Sequence, residues 1–351
     1  MMTRRHWLGF VTLLITGIVV AVLGSGNITT RAAGPIEYRL KWLPNAGFAG
    51  DLYAQAEGYY SKNGLQVNVT PGGPDRDALT ALLSPGSSTL FAVASADQVL
   101  QAIYRGSTNL RVVAQFYAGN PVQWIYRSSI GTIDAPAKLK GRRIGVAIGD
   151  NDETIMKAYL QANGIAQSDV KLTGIQFDYG PFLTGSVDLF SVYLNTQGVD
   201  LRRQMQKERV AVLFFDPARV GKPINFAANS LVTTSRVIDE QPDMVRRFVA
   251  ATVAGWEDAM SPSNRERAAH DVSAAVGAAL VDIDSVREQI DATRPLVKPT
   301  TDHQIGAIDV AAWKQTEDVM YAQRLLKAPN GQVPPKMGVE RYLDLRFVRR
   351  N

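Results

Sequence analysis

Short β-rich runs alternate with helical patterns from Ile36 onward, and this alternation constrains the fold more than any other feature of the chain. Strand-like runs cover 36–42, 65–70, 90–93, 110–116 and 123–126, with helical patterns at 50–60, 76–83 and 95–104 between them. Gly64 and Gly106 stand just past helix ends, where a left-handed residue closes the last turn. Ser95-Ala96-Asp97-Gln98 has the spacing of a capping box. Strands and helices in this order predict a sheet covered by helices on both faces.

The pattern restarts after 128. A strand at 143–147, a helix at 152–163 closed by Gly164, and strands near 170–174, 189–193 and 210–215 predict a second, smaller lobe. Pro217, Gly221 and Pro223 mark a return crossing. Beyond Asn229 the pattern turns helical, at 241–260, 263–276, 283–293 and 309–326. The expected organisation is an export leader or anchor at 1–34, a first lobe at 35–128 plus 228–351, and a second lobe at 129–227. Two α/β lobes joined by two crossings leave a cleft between them, a preferred place for a small ligand, and hinge closure is the motion expected there.

The first 34 residues read as a segment apart. Arg4, Arg5 and His6 precede an apolar run at 7–23, followed by small and polar residues. This order describes an export signal, and Thr3-Arg4-Arg5-His6-Trp7-Leu8 approaches the twin-arginine pattern. The alternative is a retained anchor, since the run lies at the lower edge of the spanning range. Either places the rest of the chain outside the cytoplasm. With the leader, the 38 Lys and Arg lose Arg4, Arg5 and Arg31 against 33 Asp and Glu. A mature chain near +2 makes no electrostatic case for nucleic acid.

There is no cysteine, so disulfides, thiol catalysis, Cys-ligated zinc and a lipidated N-terminal Cys are all excluded. Three histidines, His6, His270 and His303, are too scattered for a His-rich metal site.

Several segments taken together resemble the sulfonate-, nitrate- and thiamine-precursor-binding components of ABC importers, a family that also includes the fungal thiamine-pyrimidine synthases. Lys41-Trp42-Leu43-Pro44-Asn45-Ala46-Gly47-Phe48-Ala49-Gly50 is similar to the W-x-P-N segment of its pyrimidine- and flavin-binding branch. Ala54-Gln55-Ala56-Glu57-Gly58-Tyr59-Tyr60-Ser61-Lys62-Asn63-Gly64-Leu65 resembles its "A-x-x-x-G-Y-Y-x-x-x-G-L", and Pro71-Gly72-Gly73-Pro74-Asp75 the glycine-rich turn that follows. Leu139-Lys140-Gly141-Arg142-Arg143-Ile144-Gly145-Val146 is similar to the entry of its second lobe. Leu183–Asp188 and Tyr193-Leu194-Asn195-Thr196-Gln197 resemble a later stretch, with Gln197 in place of the usual acid. The resemblance spans about 36–260. It implies a bilobal type II periplasmic-binding fold and an extracytoplasmic component that hands a small-molecule solute to an ABC permease in the membrane. No cofactor, no nucleic acid and a monomeric state complete the expectation.

Loops at the carboxyl ends of strands form the site in such a fold. Trp42 and Phe48 are expected to flank a flat ring, and Asn45 to read its edge with an amide; both aromatics equally suit a lobe core. Asp75, Asp97, Asp150 and the neighbouring Asp152 and Glu153 sit where helices begin. Individually they suit helix capping; together they oppose an inorganic anion at those positive ends. A neutral or amino-bearing heteroaromatic suits them better, with Asp75 or Asp150 accepting from ring donors. Ser95, Asn151, Tyr193 and Asn195 complete the ligand-binding set.

Two alternatives stand beside this one. A sulfonate, taurine or nitrate binder needs cationic side chains in the cleft, and Arg76, Lys138 and Arg219 are the nearest. A pyrimidine synthase needs, by the same resemblance, an active-site histidine where Phe48 stands, an iron-binding cysteine motif and a cofactor-bound lysine, for which only Lys62 is near.

Overall fold

A computed structural model describes residues 35–73, 75–176 and 178–348; the expected leader at 1–34 lies outside them. Ten strands form two five-stranded sheets. The first holds β1 (Ile36–Arg39), β2 (Val67–Thr70), β3 (Thr89–Ala94), β4 (Leu110–Gln115) and β10 (Ser230–Thr234), in the order β2-β1-β3-β10-β4. The second holds β5 (Val122–Arg127), β6 (Arg143–Val146), β7 (Lys171–Gly174), β8 (Leu189–Tyr193) and β9 (Val212–Phe215), in the order β7-β6-β8-β5-β9.

The two sheets repeat one topology. β1 runs parallel to β2 and β3, and β6 parallel to β7 and β8. One antiparallel strand enters each sheet from a crossing: β10 between β3 and β4, β5 between β8 and β9. The chain leaves the first sheet over 116–121, and Val122–Arg127, ahead of the expected division at 128, pairs in the second sheet. The return crossing runs over 216–229, and the expected helical onset after Asn229 is instead strand β10. All five β10 residues are buried, so the strand lacks the alternation that marks a half-exposed one. The expected helix at 50–60 is two helices, Ala49–Ala56 and Tyr59–Lys62. Gly58 separates them at φ 73°, in the left-handed region.

Aromatic packing holds the first lobe. Phe248, on helix Pro242–Ala259, stacks on Phe91 of β3 with ring centroids 3.8 Å apart and meets Tyr38 edge-on at 5.2 Å. In the second lobe Trp124 is fully buried and donates through Nε1 to the Gly145 carbonyl at 3.1 Å. Two C-terminal helices tie the lobes together. Val310–Ala322 packs on both Ala96–Tyr104 and Asn151–Ala162. Ile283–Val297 packs on Gln197–Lys207, where Arg203 is ion-paired to Asp282 at 2.7 Å and to Glu288.

One buried carboxyl in the first lobe makes stability pH-dependent. Asp51 Oδ1 accepts from Tyr38 Oη at 2.7 Å and from Trp256 Nε1 at 3.0 Å, with no solvent contact. Burial pushes its carboxyl up to about 7, against which those hydrogen bonds work. A folded-state value above the unfolded one means the folded state holds the proton more tightly. The resulting stability is full below about pH 4 and is lost as pH rises through about 7. Asp51→Asn keeps the Oδ1 acceptor and removes the titration. Relative to wild type, the variant is therefore expected to gain of order 4 kcal/mol between about pH 4 and 7, read as Tm at each pH. A difference that does not change with pH contradicts the assignment.

Candidate functional site

The carboxyl ends of the parallel strands in the two sheets line a cleft of about 720 Å³, the place where open α/β sheets take ligands. From the first lobe, the segment after β1 contributes Lys41, Trp42, Asn45, Gly47 and Phe48, and the helix after β3 contributes Asp97 and Gln98. From the second, the turn after β6 contributes Ala147 and Gly149–Asp152, the end of β7 Ile175 and Gln176, and β8 Phe190–Tyr193.

A hydrogen-bonded node joins the two sides. Lys41 Nζ donates to Tyr193 Oη at 2.7 Å and to Ser95 Oγ at 3.3 Å, and Asn151 Nδ2 donates to the same Tyr193 oxygen at 3.1 Å. The ammonium lies 5.4 Å from the Tyr193 ring centroid. Burial works to lower the Lys41 pKa, but Tyr193, Asp97 and Asp150 together outweigh it and the value is raised. Lys41 is thus a cation held by the protein's own groups. Sequence reading passed over it because its partner is 152 positions away.

Of the ten residues expected in the site, seven line the cleft: Trp42, Asn45, Phe48, Asp97, Asp150, Asn151 and Tyr193. Trp42 is half-buried, packed on the first-lobe core. Phe48 is almost wholly buried in that core while still reaching the lining. Asn45 spends its amide locally: Oδ1 accepts from Gly47 N at 2.7 Å and Nδ2 donates to the Leu43 carbonyl at 3.0 Å, capping the short turn Ala46–Phe48. One N–H and one Oδ1 lone pair remain beyond these local bonds.

The other three lie outside the lining. Asp75 is exposed, and Asp77 lines the cleft instead while its Oδ1 accepts from Thr80 N at 2.6 Å. Ser95 is buried behind Lys41; its backbone N–H donates to Gln98 Oε1 at 3.2 Å, in the expected capping box. Asn195 is completely buried, donating to Tyr117 Oη at 2.9 Å and Thr293 Oγ1 at 2.8 Å, where the lobes and the C-terminal helices meet. Gln197, in place of the family's acid, accepts the Tyr193 backbone N–H at 3.0 Å.

Charge in the cleft is predominantly negative. Asp77, Asp97, Asp150, Asp152 and Asp200 line it, against Lys41 and Arg105. Arg105 is exposed at the far end of the helix whose first turn carries Asp97. Asp150 stands at the start of helix Asn151–Ala162, yet its side chain makes no capping bond. Burial raises its pKa, Asp97 adds to the rise, and Lys41 opposes it. The cations considered for an anion site are elsewhere: Arg76 is outside the lining, Lys138 is ion-paired to Asp134 at 2.8 Å, and Arg219 is 84% exposed beside Asp216. Lys62 is also outside, 5.0 Å over the Tyr59 ring with Nζ donating to the Glu57 carbonyl at 3.0 Å. Among the described residues no cluster of His, Cys, Asp and Glu is arranged to hold a metal ion, and no helix is long and apolar enough to cross a membrane.

The model of the NMT1/THI5 like family matches residues 45–265, more than half of the chain. The chain belongs to that family. A riboflavin-binding protein, RibY, from Chloroflexus aurantiacus is 27% identical over 342 residues, covering 90% of this chain and 93% of that one. A formylaminopyrimidine-binding protein from Halalkalibacterium halodurans is 24% identical over 254 residues, covering 69% and 73%. Among solved structures, the periplasmic aliphatic sulphonate binding protein SsuA from Escherichia coli superposes with a TM-score of 0.65 at 17% identity, covering 90% of this chain and 94% of that one. That likeness carries the fold, and the expected bilobal periplasmic-binding architecture is the one found.

Proposed function

We propose that this chain is the solute-binding component of an ABC-type importer, and that its cleft takes a flat heteroaromatic solute of the riboflavin or thiamine-pyrimidine class. The observation that carries the reading is the lining itself. Trp42 and Phe48 from one lobe and Tyr179, Phe190 and Tyr193 from the other surround aspartate acceptors, and the deep cation, Lys41, is already engaged by Tyr193 and Ser95. Aromatic faces offer stacking area and aspartates accept ring N–H and amino groups, whereas a sulfonate or nitrate meets repulsion there. RibY and the formylaminopyrimidine-binding protein, both named for ring-bearing solutes, support the same class. The reading includes export, a membrane permease as partner, a monomeric state and binding without catalysis.

Thermal-shift measurement against riboflavin, formylaminopyrimidine, taurine and nitrate tests it. A solute at a hundred times its Kd stabilises by about 2.7 kcal/mol, a rise of roughly 4 °C for a chain of this size. A rise with riboflavin or the pyrimidine, and none with the anions, is expected. A response confined to taurine or nitrate contradicts the solute class.

A further inference from the structure

Asp152 stands out among the cleft aspartates because half of its carboxylate is committed and half is not. Only 6% of the residue is exposed. Its Oδ2 accepts from the Ala147 backbone N–H at 2.9 Å and from the Ser191 hydroxyl, which fixes the side chain between the β6 turn and β8. Its Oδ1 has no hydrogen-bond partner among the described residues, although Asp152, Ala147 and Ser191 all line the cleft. A buried acceptor without a donor costs free energy, and a ligand that brings the donor recovers it.

We infer that Oδ1 of Asp152 is the acceptor that reads a ring N–H or amino N–H of the solute, making Asp152 the residue that sets specificity for N–H-bearing heterocycles. This inference rests on the binding reading above. With Oδ2 held by two donors, only the buried Oδ1 is left to accept from a solute, so recognition is one-point. A lone N–H between two ring carbonyls, as in an isoalloxazine, meets that need, and so does an exocyclic amine on a pyrimidine. Burial pushes the Asp152 carboxyl up to about 6, so at neutral pH the group is mainly ionised and acts purely as an acceptor. A site built around such a contact rejects the analogue that lacks the donor far more strongly than it rejects a change in apolar bulk. Asp152 stands in the first turn of helix Asn151–Ala162, as an acid at a helix start, and its bonds also run to Ala147 and to Ser191, 39 positions away.

The test is a cycle between one protein change and one ligand change, by calorimetric titration of the full purified chain. The ligand pairs are riboflavin with 3-methylriboflavin, and 4-aminopyrimidine with its dimethylamino analogue. Methylation is expected to weaken binding to wild type by about 10- to 100-fold, and to the D152N variant by less than about 3-fold. A structural role alone would lower the affinity of D152N for both members of a pair equally, leaving the methylation penalty intact, and would overturn the inference. So would a wild type that tolerates methylation, an arm independent of how D152N folds. If a parent compound binds and D152N binds it equally well, the inference alone falls. If neither parent binds wild type, the solute class falls and takes the inference with it.

Discussion

Trp42→Ala is expected to weaken solute binding by about 100-fold while leaving the apo protein folded. Trp42 lies half-buried, supported by the first-lobe core and lining the cleft directly after β1. Stacking of a flat heterocycle on an aromatic side chain contributes about 1–3 kcal/mol per ring, and loss at the upper end is about two orders of magnitude in Kd. Trp42→Phe keeps a smaller face and is expected to lose about tenfold or less. Titration of both variants checks this, with apo Tm as the control for packing. An unchanged Kd in Trp42→Ala removes this side chain from the site, and the tyrosine side of the cleft would then carry the ring alone.

Gly50→Ala is expected to produce a large loss of stability for a single added methyl. Helices Ala49–Ala56 and Pro242–Ala259 cross in close contact at two glycines. A Cβ on Gly50 would stand 2.0 Å from Trp256 Cδ2 and 2.6 Å from Trp256 Cα, and one on Gly255 2.4 Å from Ala54 Cβ. The second of these atoms belongs to the Trp256 backbone, so rotating the indole alone does not relieve the clash. Trp256 is fully buried and bonded to Asp51, so displacing it also disturbs that carboxyl. Overpacking of this severity costs about 3 kcal/mol or more, a fall in Tm of roughly 4 °C or more. Gly119→Ala, whose Cβ would meet only Leu296 Cδ2 at 3.6 Å, is the matched control and should change stability by less than about 1 kcal/mol. A Gly50→Ala protein as stable as wild type would show that the helices separate at little cost. Because Ala49–Ala56 follows directly on the segment holding Trp42 and Phe48, the same substitution is also expected to loosen the cleft wall.

The alternation of strands and helices made most of the architecture legible from the chain, and the failures have local causes. Strand β10 reads as Ser-Leu-Val-Thr-Thr, is buried throughout, and runs straight into helix Ser235–Glu240, so neither alternation nor a turn signal announces it. Helix Gln197–Lys207 carries four charged residues and few apolar ones, and begins four residues after β8, which hid it inside a motif. The site was legible where a motif or an aromatic pointed to it. It was not legible where meaning depends on a distant partner. Asn45 lines the cleft but also caps its own turn, which no motif announces, and Asn195 looks like a cleft residue until Tyr117 and Thr293 enclose it. Lys41 opens a recognised segment and Asp152 sits among helix-start acids, but neither position gives the partners, Tyr193 and Ser191, that the second sheet brings beside them.

The central claim is that the gap between the lobes holds a ring between aromatic walls and aspartate acceptors. A crystal structure of the protein with riboflavin tests it most directly. The account predicts the ring in the cleft, against Trp42 on one side and the Tyr193 side on the other, with a ring N–H on an aspartate oxygen. A solute seated outside the cleft contradicts it, and so does a ring whose edge is read by Lys41 and Arg105 with every aspartate out of reach.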